Sequence, residues 1–362
     1  MNAIITDLEP KHARDEPGTG ILGWAERGLV PDALVRLGIR ALCKRRLSTE
    51  LAGNREQRAG RFQAGIESLR ASPIAIHTDA ANAQHYELPP AFFQFCLGKR
   101  LKYSCAYFER GDESLDQAEE AMLERYAERA ELCDGQNILE LGCGWGSLTL
   151  WMAQRYPRAR IHAVSNSRSQ REFIEAECRR RRLDNVRMTV EDVNRLQLPA
   201  AHFDRCVSVE MFEHVRNYEV LMAKIRNWLA PGGKLFVHIF AHRSAMYPFE
   251  TSGEDDWMGK HFFTGGLMPS IHTLLWFQQD LNIERQWLVQ GTHYERTANG
   301  WLDRMDANRQ PIMKVLADTC GAANAPIWFQ RWRMFYMACA ELFGYAGGGE
   351  WLVAHYRFVR PA

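Results

Sequence analysis

The chain is short of the features that mark several large classes of protein. No stretch of its 362 residues approaches the ~20 consecutive apolar positions of a membrane span. The opening "MNAIITDLEPKHARDEPGTG" has no basic start followed by an apolar core, so no secretory leader is expected. Charge of one sign is not in excess: 45 Lys and Arg against 44 Asp and Glu leave a formal net charge of +1. That near-balance removes any global electrostatic reason to expect a nucleic-acid partner. Paired cysteines are missing as well. Cys43, Cys96, Cys105, Cys133, Cys143, Cys178, Cys206, Cys320 and Cys339 are scattered and odd in number. No spacing among them suggests a zinc site, so no metal is expected and a reducing cytoplasm is the expected location. Internal repeats and low-complexity runs are absent too.

With 46% hydrophobic residues, the chain can hold one large domain with an appendage, or two domains. Residues 1–20 are polar, carry Pro10 and Pro17, and read as a mobile tail. Residues 21–75 read as an N-terminal helical segment. Within it, "PDALVRLGIRALCKRRL" starts a helix at Pro31, with Leu34, Leu37 and Ala41 on one side and Arg36, Arg40 and Lys44 on another. A solvated face is the plain reading of those basic residues, and contact with an anionic lipid surface at the membrane periphery is the alternative. The main domain is placed at 76–362. Its expected strands are 137–141, 160–164, 186–190, 203–209 and 234–240, separated by helical segments long enough for parallel crossovers. This alternation implies an α/β fold with a doubly wound, Rossmann-like sheet, an N-terminal helical cap and an aromatic-rich C-terminal roof. The roof is expected to finish in a strand pair around "WLVAHYRF".

"LELGCGWGSLTL" (139–150) places Gly142, Gly144 and Gly146 between an apolar strand and a helix, the usual cradle for a nucleotide-like ligand. A nicotinamide cofactor would require G-x-G-x-x-G and an acidic residue ending the second strand. Here the spacing is G-x-G-x-G, and the second strand runs into "SNSRSQ", which has no carboxylate. Glu140 can accept from a ligand ammonium, Ser165, Asn166 and Gln170 can bond a ribose, and Asp192, with Val193 in "EDV", can meet an adenine amino group. The ligand that combines amino acid and nucleoside in this way is S-adenosylmethionine.

"ILELGCGWGSLTLWMA", "SNSRSQREFI", "VSVEMFEHVRNYE" and "YSCAYF", with "GTHYERTANGWLDRMDAN" and "AELFGYAGGGEWLVAH", resemble the S-adenosylmethionine methyltransferases of the cyclopropane-fatty-acid synthase superfamily. Within it the chain is most similar to the coclaurine N-methyltransferase type, and the likeness runs over nearly the whole length. The resemblance implies a class I methyltransferase domain over 76–362. It further implies that Tyr103 and Ser104 hold the methionine end of the cofactor, Gly142 and Gly144 its backbone-facing side, and Asn166 and Gln170 its ribose.

"VEMFEH" supplies Glu210, Glu213 and His214 just past a strand end. Glu210 and Glu213 share a face if the chain turns helical there, and His214 is a credible base. Two acceptor classes follow. In the first, a small hydrophobic amine is N-methylated, with Glu210 and Glu213 orienting its charge. Trp328, Phe329, Trp332, Phe335 and Tyr336 then give the cation an aromatic lining, unless they are simply packed in the core. In the second, an unsaturated lipid accepts a methylene or methyl group. The resemblance to the lipid branch implies a bicarbonate base among Cys105, Glu213, His238 and Tyr294. Lipid synthases, however, resemble "VGMFEH" where this chain has Glu210, and an unpaired charge beside an apolar chain is costly. The amine is preferred on that ground. A homodimer is compatible with the sequence, and a non-catalytic role is disfavoured by the intact loop and acid–base positions.

Overall fold

The computed structural model describes residues 17–76, 88–249 and 257–361. Its centre is a seven-stranded sheet of β1 (Asn137–Leu141), β2 (Arg160–Ser165), β3 (Val186–Val190), β4 (Phe203–Val209), β5 (Leu229–His242), β6 (Asn282–Val289) and β7 (Trp351–Val359), in the order β3-β2-β1-β4-β5-β7-β6. Strands β1 to β5 are parallel, and β7 runs antiparallel to both of its neighbours. Ile138, Leu139 and Leu141 of β1 are almost completely buried, as are Cys206 and Val207 of β4 and Leu235 to Ile239 of β5. Near-continuous apolar strands of this kind belong to the middle of a sheet covered on both faces. The doubly wound sheet inferred from the alternating pattern is therefore the sheet observed. β2 extends one residue beyond its expected end, and β5 starts at Leu229, before its expected start at 234.

The helices are α1 (Gly20–Glu26), α2 (Asp32–Glu50), α3 (Arg55–Ala71), α4 (Pro90–Cys96), α5 (Leu115–Ala130), α6 (Ser147–Arg155), α7 (Arg168–Arg181), α8 (Tyr218–Trp228), α9 (Trp257–His261), α10 (Gly291–Ala307), α11 (Arg309–Cys320) and α12 (Ala325–Gly344). None of them is long and apolar enough to cross a membrane. Most of the tail expected at 1–20 lies outside the described residues, as do positions 77–87 at the start of the main domain placed at 76–362.

Two expectations are corrected. The strand pair around "WLVAHYRF" is one strand, β7, whose outer partner is β6, more than sixty positions earlier in the chain. On α2 the buried face is that of Val35 and Cys43, not the Leu34 and Leu37 side. Arg36 is half-buried and Arg40 exposed beside that face, where both guanidinium groups bond Glu341 of α12 and Arg36 also donates to Asn299. Leu34 and Leu37 stay 57% and 59% exposed. Two charge-assisted bonds to a carboxylate on the neighbouring helix fix which face docks.

Candidate active site

At the carboxyl end of β1 the chain turns through Gly142 (φ +77°), and the Gly142 N–H donates to the Val164 carbonyl of β2 at 3.0 Å. A Cβ at Gly142 would lie 2.7 Å from the side chain of Met211. Gly144 (φ +52°) has nothing within 4 Å of its Cβ position, because it faces a cavity. Gly146 caps the N-terminus of α6 rather than lining that cavity.

The cavity lies over the carboxyl ends of β1 to β4. Its wall brings together Tyr103 and Ser104, then Glu140, Gly142 and Gly144, then Ser165, Asn166 and Gln170, and finally Asp192 and Val193. The Ser165 hydroxyl donates to Gln170 Oε1 at 2.6 Å, which turns Gln170 Nε2 the other way. Gln170 Nε2 and Ser147 Oγ are buried at the cavity and have no hydrogen-bond partner among the described residues. Buried polar atoms are nearly always satisfied, so a polar ligand in the cavity would answer both. Glu140 is buried, accepts from Thr149 Oγ1, and burial pushes its carboxyl up to about 8. An entering cation would reverse that shift. These residues fit an amino-acid nucleoside such as S-adenosylmethionine.

Glu210 and His214 stand at one end of the same cavity. Glu210 follows β4 with φ +48°, a left-handed backbone that is uncommon outside glycine. Three donors close on its carboxylate. The Cys105 N–H and His238 Nε2–H both reach Oε1 at 3.0 Å, and the Tyr294 hydroxyl reaches Oε2 at 2.6 Å. Burial raises the Glu210 carboxyl above its ordinary value, and the Lys102 charge, the Tyr294 hydroxyl and the Cys105 N–H offset only part of that rise. His214 is buried against the Phe263 ring, and burial pushes its imidazole down to about 4.

The expected pairing of Glu210 and Glu213 on one helical face does not form. The helix there is a single 3₁₀ turn, Phe212–His214, and Glu210 precedes it. Glu213 turns away from the cavity, accepts the Phe240 N–H at 2.7 Å, and is raised well above its ordinary value by burial and by Glu210. Cys105, His238 and Tyr294 do converge, on Glu210 itself. The five aromatic side chains are not part of the cavity wall. Phe329, Trp332, Phe335 and Tyr336 are buried in the helical core, with Trp332 packed on Phe92 and Phe262, and Trp328 is half-buried. A helical stripe of rings has the same spacing in a core as in a pocket, so the pattern could not separate the two.

Three residues at this site carried no expectation. Lys102, next to "YSCAYF", is buried with its ammonium on Ser104 Oγ and Tyr126 OH at 2.5 and 2.7 Å, and burial pushes it down to about 8. Tyr126 also contacts His238 Nδ1 at 2.9 Å. His355, on β7, contacts the same Nδ1 at 2.9 Å. Lys102 and Tyr126 lie outside the quoted motifs, and His355 ends one of them, "AELFGYAGGGEWLVAH", without an assigned role. Only the polarity of Lys102 beside an aromatic motif could have marked it.

Residues 75–346 match the family model of mycolic acid cyclopropane synthetase. The chain is 40% identical to an (S)-coclaurine N-methyltransferase of Thalictrum flavum subsp. glaucum, covering 94% of this chain and 95% of that protein. It is 33% identical to a pavine N-methyltransferase of the same plant, over 98% of this chain and all of that protein. A crystal structure of a coclaurine N-methyltransferase bound to N-methylheliamine and SAH superposes with a TM-score of 0.89 at 38% identity, covering 92% of this chain and 97% of that one.

Proposed function

Because this chain belongs to the mycolic acid cyclopropane synthetase family, we propose that it is an S-adenosylmethionine-dependent methyltransferase that methylates the nitrogen of a small hydrophobic amine. The observation that carries the amine is the position of Glu210. The donors that the lipid alternative assigns to bicarbonate, namely Cys105, His238 and Tyr294, already hold the chain's own carboxylate. That carboxylate also reaches the cavity wall, where an ammonium can pair with it and an alkene cannot.

When bound, S-adenosylmethionine supplies a methyl group on sulfonium sulfur, open to in-line attack. Lys102, Tyr103, Ser104 and Glu140 would hold its methionine end, Asn166 and Gln170 Nε2 its ribose, and Asp192 its adenine amino group. Glu210 draws in the acceptor as a cation and orients its nitrogen. The imidazole of His214, neutral at pH 7, takes the proton the amine must lose and passes it to solvent. Glu213, buried and accepting the Phe240 N–H, supports the turn that carries His214. A cytoplasmic location belongs to the same proposal. So does a homodimer through the exposed apolar face of α1 and α2, where Ile21, Trp24, Leu29, Leu34 and Leu37 lie open.

The test is incubation with methyl-labelled S-adenosylmethionine in the presence of coclaurine and of vesicles of unsaturated phospholipid, followed by separation of the two fractions. Label in the amine fraction is expected. Label confined to the lipid would overturn the proposal.

A further inference from the structure

The antiparallel register of β5 and β7 sets His238 directly opposite His355, with Trp287 of β6 next in the row. Helix α5 lies over this face and presents Tyr126 and Arg129 at i and i+3. The side chains connect in one direction. Arg129 meets His355 Nδ1 at 2.6 Å, His355 Nε2 meets His238 Nδ1 at 2.9 Å, and His238 Nε2 meets Glu210 Oε1 at 3.0 Å. We propose that Arg129 and His355 are positioning residues, acting through His238 to hold Glu210 in its ionised, accepting state.

A guanidinium has five N–H donors and no acceptor, so His355 must offer a bare Nδ1 and carry its proton on Nε2. That proton points at His238 Nδ1, which must therefore be bare, and the His238 proton is left on Nε2, aimed at Glu210. A second cation backs this arrangement. Lys102 donates to the Tyr126 oxygen, which frees the Tyr126 proton for the same His238 Nδ1. Both chains end on a cation and both arrive at one nitrogen. Burial keeps both imidazoles uncharged, with Lys102 and Arg129 adding to the effect. A proton on Glu210 Oε1 would confront the His238 and Cys105 N–H groups, neither of which can accept it, and one on Oε2 would force the Tyr294 hydroxyl to give up its donated bond and accept instead.

The groups that face Glu210 are Lys102, Cys105, His214, His238 and Tyr294, with Glu213 and Tyr126 beyond them. Those facing His355 are Tyr126, Arg125, Arg129, Lys102 and His238. Among the described residues Arg129 also lies over the Trp287 ring at 5.2 Å, which seats the guanidinium without satisfying its donors.

The proposal rests on Glu210 being the carboxylate that meets the amine, but two of its readouts need no acceptor. The first is the ¹⁵N imidazole spectrum of the wild-type enzyme labelled at histidine, in which His238 and His355 should both show the Nε2–H tautomer. A protonated Nδ1 on either would overturn the proposal. The second is titration of the Glu210 carboxyl by ¹³C shift. In Arg129→Met its midpoint should rise by about half to one pH unit. It should rise further in Arg129→Met combined with Tyr126→Phe, and return toward wild type in Arg129→Lys. An unmoved midpoint in both the single and the double variant would overturn it. With coclaurine as acceptor, the acid limb of the kcat/KM profile should move by the same interval while calorimetric affinity for S-adenosylmethionine stays put. If no amine is methylated, the reading of Glu210 as amine-binding fails, and the titration still decides the relay.

Discussion

His238 holds Glu210 at two points: its ring Nε2–H donates to the carboxylate at 3.0 Å, and its backbone carbonyl accepts the Glu210 N–H at 2.9 Å. Side chain and backbone of the same residue are thus fixed by one neighbour on the next strand. This clasp sustains a left-handed backbone at a position where most residues would relax out of it.

Glu210→Gln keeps the volume and removes the charge. A charge-assisted contact is worth ~1.5–3 kcal/mol, so kcat/KM for an amine should fall roughly ten- to a hundredfold. Affinity for S-adenosylmethionine should scarcely change. Steady-state kinetics beside calorimetry separate the two, and an undiminished kcat/KM would remove Glu210 from the role assigned to it.

Gly144→Ala tests the cradle. Valine would be a larger plug, but φ +52° makes any β-branched residue strained there whatever the ligand does. Alanine carries a milder backbone cost, about 1 kcal/mol in the left-handed region. Its methyl group would enter the open cavity. Cofactor affinity should drop by about tenfold or more, ~1.4 kcal/mol, with the fold retained by circular dichroism. Unchanged affinity in the folded variant would place the ligand elsewhere.

Glu140 gives a pH signature. Its folded carboxyl is pushed up to about 8, against an ordinary value of 4.5. Between those values the native state binds more protons than the unfolded one, so this group's contribution to stability falls as pH rises. Glu140→Gln mimics the protonated form and can still accept from Thr149. The variant should therefore gain on the ligand-free wild type by ~1.4 kcal/mol per pH unit through that window. Denaturant melts at pH 5, 6, 7 and 8 measure it, and parallel stability curves would refute a raised carboxyl.

Glu26 ties the N-terminal helices to the body. Its carboxylate accepts from Arg331 Nε at 3.0 Å, Trp257 Nε1 at 2.7 Å and the Gly18 N–H at 2.7 Å, in a nearly solvent-free site. Glu26→Ala would strip the buried Arg331 guanidinium of this carboxylate, and removing one partner of a buried pair costs ~3–5 kcal/mol. A melting temperature within a degree of wild type would show that the anchor contributes little.

The strands that build the sheet were legible because they are buried on both faces, so that composition alone marks "NILEL" and "KLFVHIF". β6 was not. "NIERQWLV" lies on the sheet edge, three of its eight residues (Asn282, Glu284 and Arg285) carry exposed polar side chains, and no apolar run announces it. The glycine loop and the polar ends of the second and third strands were readable as a ligand wall for the opposite reason: polar and small residues interrupt apolar patterns only where something other than packing is being served. Cys105, His238 and Tyr294 could be grouped by resemblance, yet the anion they hold could not be read, because a Glu210 three residues before Glu213 looks like its helical neighbour until the left-handed turn is seen. The Arg36 and Arg40 face was legible as a stripe. Its partner Glu341 lies 305 positions from Arg36, a distance that periodicity cannot bridge.

The left-handed backbone at Glu210 also has an evolutionary consequence. Glycine adopts such a φ without strain. Glutamate and glycine codons differ by a single base. A Glu210→Gly replacement would relax the turn, by about 1 kcal/mol, and leave a hole the size of a carboxylate ringed by the Cys105, His238 and Tyr294 donors. A small anion from solution, formate or bicarbonate, then has a ready-made berth. One mutational step thus turns a site that carries its own anion into one that can hold a borrowed one.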